Sequence, residues 1–162
     1  MTPNEAIRLT MDFCRGVTRQ YVADLSDADL LRRPATGCNH VAWQLGHLIS
    51  SEHSFLTQLG QKPPALPEGF AESHSKEAAT SDDPGKFWKR DDYLRLMDEQ
   101  RTASLAALDA TPPDQLDAPG PENVRSYAPT VGAVFTLIGI HEMMHAGQFV
   151  PVRRMAGKPI VI

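Results

Sequence analysis

The chain has 162 residues, 41% of them hydrophobic, which is enough for one domain to bury a sizeable core without disulfides or a structural metal. Sixteen basic and twenty acidic residues give a formal net charge of -4 with neither sign gathered into a run, so no nucleic-acid or membrane surface is predicted and a small neutral or anionic molecule remains as partner. Cys14 and Cys38 lack C-x-x-C spacing and suit a reducing compartment, where both are expected as buried thiols. The start "MTPNEAIRLT" has no leader pattern, and the longest apolar run, "VGAVFTLIGI", is too short to span a bilayer, so a cytoplasmic protein is expected.

Four segments carry helical periodicity and none alternates as a strand does, so residues 1–162 read as a single all-α domain. The first helix is predicted over Asn4 to Val22, with Ile7, Met11, Cys14, Val17 and Tyr21 on its apolar stripe. A second opens at Asn39 as N-cap and runs to a stop at Gly60, with Val41, Leu45, Leu48, Phe55 and Leu59 on one face. The stretch "QKPPALPEGFAESHSKEAATSDDPGK" is too long for an ordinary bundle connection and too polar for core, and reads as a crossover that can cover a pocket. A third helix starts near Phe87 or Asp91 and ends at about Ala110, before a proline-rich stop. Thr130 caps a fourth, in which positions 131, 134, 138, 141, 145, 148, 152 and 155 form a seven-residue seam; Pro151 predicts a kink at 147–151 and Gly157 the end.

Two of those seam positions are histidines in "GIHEMMHAGQF". His141 and His145 lie four residues apart, so their rings project about 40° from each other on one face, the spacing of two ligands to one metal. The letters satisfy the H-E-x-x-H pattern of zinc proteases, but residues 146–162 contain no Asp, Glu, His or Cys. In the extended protease pattern Gln148 stands at the glycine position and Pro151 at the third histidine, so the chain is not expected to be a zincin protease. A third ligand must come from an earlier helix, and His47 is the strongest candidate. His40 shares the His47 face but lies roughly 10 Å further along the helix, His53 points about 120° away, and His74 is expected as a solvated loop residue. Trp43, Ser51 and Ser54 flank His47 with side chains that leave room beside the ring.

Glu142 is the base candidate by analogy with H-E-x-x-H, yet it points about 80° from the midpoint between the histidines, so a supporting contact or a surface place is open to it too. Gln148 shares the histidine face and is read as a core amide or a ligand-orienting group. Arg101, on the inward stripe of the third helix, is read as a partner for a substrate anion or a carboxylate of another helix, or as a side chain that reaches the surface.

With "NHVAWQLGHLISSE" and "HEMMHAGQFVPVRRMAGKP" both in view, the chain resembles the DinB-like superfamily of metal-binding four-helix proteins over nearly its whole length. The resemblance rests on Asn39, Trp43 and His47 in the second helix and His141, His145, Gly147 and Gln148 in the fourth. It implies a four-helix bundle of up-down-down-up topology with a long crossover between helices 2 and 3, and a homodimer. It further implies one divalent metal on His47, His141 and His145, zinc or nickel ahead of iron or manganese, with the remaining positions open to water or substrate. Thiol-dependent transferases and isomerases among such proteins suggest a low-molecular-weight thiol cosubstrate acting with a small-molecule substrate. Ala146 departs from the basic or aromatic residue frequent before Gly-Gln, so contacts of that larger side chain are not carried over. The expected function is that of a metal-dependent thiol transferase or hydrolase, with a non-catalytic metal- or ligand-binding bundle as the alternative.

Overall fold

A computed structural model describes residues 1–160, and among them six α-helices, four of them long, and no strand. Helix α1 spans Pro3–Val22 and begins with a capping box in which Thr2 and Glu5 satisfy each other's backbone amides and Pro3 occupies the first turn. A single turn, α2 (Asp27–Leu30), carries the same device from Ser26 and Asp29. Helix α3 spans Val41–Gln58, and here the expected cap is displaced by one residue. The His40 imidazole, not Asn39, accepts from the Trp43 amide through Nδ1 at 3.0 Å. Gly60 takes φ 77°, a left-handed conformation that suits glycine and ends the helix as expected.

The crossover is more structured than its composition suggests. It holds a short helix, α4 (Phe70–Ser73), and two 3-10 turns, Glu77–Thr80 and Pro84–Lys86. Phe70 is fully buried in the main core, and His74 is 2% exposed, so the expectation of a solvated loop histidine is corrected. An apolar ring at 70 and a histidine with two hydrogen-bond partners at 74 let a polar segment dock. Helix α5 spans Arg90–Ala110 and helix α6 spans Val131–Met155, capped by Thr130 and running on through Pro151.

The four long helices enclose the core. Helix α1 packs on α6 and α5, and α3 packs on the same two. Val17, Tyr21, Leu45, Ile49, Tyr93, Leu96, Phe149 and Val152 meet in one apolar cluster; Met11, Leu56, Leu108, Phe135 and Ile138 form a second. On α6 the buried line runs through 135, 138, 142, 145, 149 and 152, and Gln148 and Met155 are exposed. Val134, Ile138, His145 and Val152 of the predicted seam are buried, whereas Glu142 and Phe149 take the inward places beside half-buried His141 and exposed Gln148, because the buried face is wider than a single seven-residue line. The thiols also divide, with Cys14 buried as expected and Cys38 exposed.

Polar contacts fix the helix pairings. Asn4 Nδ2 donates to the carbonyls of Leu108 and Thr111, and Arg19 pairs with Asp98. Arg153, fully buried on α6, donates to the Tyr21 carbonyl and pairs with Asp24.

One feature spans all four long helices. Arg15 of α1, Glu52 of α3, Arg101 of α5 and Glu142 of α6 form a buried, charge-balanced quartet. Arg101 donates to Glu52 Oε1 at 2.9 Å, to Glu142 Oε2 at 2.7 Å and to the Met11 carbonyl at 2.6 Å. Ser104 adds a hydrogen bond to Glu52 at 2.7 Å. Burial opposes the Arg101 charge, but Glu52 and Glu142 outweigh it and raise its pKa above the ordinary value.

Candidate metal centre

Helix α6 offers His141 and His145 one turn apart, and α3, packed against it, brings up His47. One ligand atom from each of the three lies within 4.8 Å of the others, close enough for a single ion to meet all three. Ring centroids stand 5.2 Å (His47–His141), 5.3 Å (His47–His145) and 4.9 Å (His141–His145) apart. His40, His53 and His74 are outside the cluster.

The cluster is also in the protonation state a ligand requires. Burial, then the neighbouring His47, lowers the His141 pKa to about 4. Burial, then His141 and His47, lowers that of His145 to about 3. His47 is lowered by burial and by the nearby Lys76 ammonium. Neutral imidazoles present lone pairs at neutral pH with no proton to displace.

A neighbouring amide decides which nitrogen the His145 ring offers. Gln44 Nε2 donates to the Asn39 carbonyl at 3.0 Å, and a carbonyl can only accept, so the amide orientation is fixed. Gln44 Oε1 must then accept from His145 Nδ1, 2.9 Å away, which leaves Nε2 of His145 with a free lone pair. Trp43 lies parallel to the His47 ring, 5.0 Å between centroids and 5° between planes, and its Nε1 donates to the Ser75 carbonyl at 2.9 Å. Trp43 thus braces the His47 ring and ties the crossover to α3.

The other expected site residues fall differently. Ser51 lines an open cleft of about 410 Å³ that reaches His47. Arg101 faces carboxylates of other helices and not a pocket, because Glu52 and Glu142 occupy its donors. Glu142 is 1% exposed with its oxygens turned to Arg101 and, at 3.0 Å, to Arg15. A void of about 10 Å³, room for one water, separates His141 from this ion group. Gln148 is exposed and belongs neither to the core nor to the histidine cluster.

Sequence reasoning missed Gln44. Its signal was present, since an amide between Val41, Leu45 and Leu48 sits on an apolar stripe and needs partners. Arg15 and Glu52 were missed for the same reason, being charges on stripes otherwise filled by aliphatic groups.

A profile of the DinB superfamily matches residues 10–149. The chain belongs to the DinB superfamily. The match takes in all three histidines and Gln44, so the cluster lies inside the shared DinB domain. A crystal structure of a conserved protein from Enterococcus faecalis is similar to this DinB chain, with a TM-score of 0.75 and 17% identity over 98% of this chain and 99% of that one. At that identity the likeness concerns the fold. No curated protein matches the chain.

Proposed function

We propose that this DinB protein binds one divalent metal through His47, His141 and His145 and acts on a small molecule as a thiol-dependent transferase or hydrolase. The observation that carries the reading is the convergence of three neutral imidazoles beside an open cleft, with one ring already oriented by Gln44. The all-nitrogen donor set fits zinc or nickel ahead of iron or manganese. When bound, a divalent ion on three neutral ligands supplies Lewis acidity and acidifies a coordinated water or thiol.

The chain's own groups supply the rest. Gln44 and Trp43 hold two of the rings, and the cleft admits a ligand from the His47 side. Glu142 is not available as a base, since Arg15 and Arg101 neutralise it inside the core. The alternative, a non-catalytic bundle that only binds metal or ligand, has in its favour the same triad without an acid or base pointed at it.

The up-down-down-up topology is the arrangement we infer for the bundle. Contacts support it: between α1 and α6, residues 15 and 21 meet 142 and 153, both rising, and between α3 and α6, residues 44 and 47 meet 145 and 141, in opposite senses. Between α1 and α5, residues 8 and 19 meet 109 and 98, again opposed. A homodimer is part of the proposal, supported by the exposed apolar pairs Leu9 with Phe13 on α1 and Ile140 with Met144 on the adjacent α6. No described helix is long and apolar enough to cross a membrane, and two free thiols suit a reducing cytoplasm.

The reaction is tested by loading the protein with zinc or nickel and assaying conjugation of an electrophile across a panel of small thiols. Metal-dependent turnover with one thiol class supports the transferase; hydrolysis without thiol supports the hydrolase. Full metal occupancy with neither activity favours the non-catalytic bundle.

A further inference from the structure

The cleft beside His47 has a composition unlike the chain as a whole. Its wall carries no carboxylate, although the protein holds twenty acidic residues, and Lys76 is its one charged side chain. The hydroxyls of Ser50, Ser51, Ser54, Ser75 and Tyr127 supply most of the remaining polar groups. Ser50 Oγ is buried without a hydrogen-bond partner, and among the described residues Lys76 enters no ion pair.

The backbone at Lys76 is anchored, while its side chain is exposed. The Ser75 carbonyl before it is held by Trp43 Nε1, and the Lys76 carbonyl accepts from the Ala79 amide at 3.3 Å. Two residues earlier, His74 hydrogen-bonds the Phe70 carbonyl at 2.7 Å and the Tyr93 hydroxyl at 2.8 Å and packs directly on the Gly46 backbone. The nearest carboxylate in sequence, Glu77, is engaged by its own backbone amide and the Ser75 side chain. The exposed Lys76 side chain thus borders a cleft rich in hydroxyls, next to a ring of the histidine cluster.

We infer that this cleft is a subsite for the oxyanion, carboxylate or phosphate, of a small substrate, with Lys76 as its charge partner and Ser50 and Ser51 as hydrogen-bond donors. The inference rests on the metal reading only for the end of the substrate that faces the triad. An ammonium with hydroxyl donors satisfies a charged oxygen group, whereas a cationic ligand would meet like charge and no acceptor carboxylate. The bound molecule would lie with its anionic end toward the crossover and its reactive end at His47.

The test is an NMR titration of isotope-labelled, metal-free protein with three two-carbon thiols, mercaptoacetate, mercaptoethanol and cysteamine, and with inorganic phosphate. Mercaptoacetate should move the amide resonances of Ser51, Ser75 and Lys76 with an affinity about tenfold above mercaptoethanol, and cysteamine should bind least. Lys76→Gln should remove that preference and Lys76→Arg should keep most of it. Relative affinities for mercaptoacetate and phosphate tell which oxyanion the subsite takes. Equal binding of the three thiols, no shift with either anion, or a preference that survives Lys76→Gln overturns the inference. Metal content of the same preparation before chelation separates the two readings. Anion preference without metal uptake leaves the subsite and removes the triad proposal, and metal uptake without anion preference does the reverse.

Discussion

Gln44 shows how one buried amide can decide the chemistry of a ring 101 residues away along the chain. By accepting from His145 Nδ1 it fixes the tautomer that exposes Nε2. Gln44→Leu should therefore lower zinc affinity about ten- to a hundredfold with the fold retained, measured by competition with a chromophoric chelator. Gln148→Ala, at an exposed position, should leave it unchanged. His74 makes a separate, pH-linked contribution. Burial, partly offset by its bond to the Phe70 carbonyl, lowers its pKa to about 4, below the ordinary 6.5. Between those values the unfolded chain takes up a proton that the folded one refuses, so stability is full above about pH 6.5 and falls toward pH 4. The slope is up to about 1.4 kcal/mol per pH unit for this residue. Urea midpoints of metal-free protein at pH 7 and pH 5 should show the loss, and His74→Gln should reduce it by this residue's share, leaving the part that the buried His141 and His145 contribute.

At the scale of elements, the quartet of Arg15, Glu52, Arg101 and Glu142 ties the four long helices at one level of the bundle. Removing one member strands a charge in the core, so Arg101→Met should cost about 3–5 kcal/mol in chemical denaturation. Glu142→Gln should also destabilise the fold while metal content stays at the wild-type level; a mutant that folds normally yet loses its metal would return Glu142 to the site. The crossover depends on a different contact. A Cβ on Gly46 would stand 2.0 Å from the His74 ring, which cannot move without leaving Phe70 and Tyr93. Gly46→Ala should accordingly cost about 1–3 kcal/mol and release the crossover, seen as faster amide exchange in residues 70–80.

For the whole molecule, much of the architecture was legible because periodicity and caps are local signals. The stripe of α1, the Thr130 cap and the Gly60 stop all stand where the residues place them. The histidine pair was legible for the same reason, and His47 followed from helical angle and the lack of any better ligand. What escaped depends on tertiary partners that no single helix displays. Gln148 looked inward only under a strict seven-residue repeat, whereas the α6 packing places Phe149 there. His74 looked solvated because its anchors, Tyr93 and the bare backbone of Gly46, lie in two other helices. Arg15 and Glu52 went unread because the partners that account for them, Arg101 and Glu142, lie on other helices. The central claim, that the three histidines hold one metal, is met most directly by elemental analysis of untagged protein after dialysis against trace metals. The account predicts about one divalent ion per chain in the wild type and loss of most of it in His47→Ala and His145→Ala, both still helical by circular dichroism. Metal-free wild type, or mutants that keep the full metal content, would contradict it.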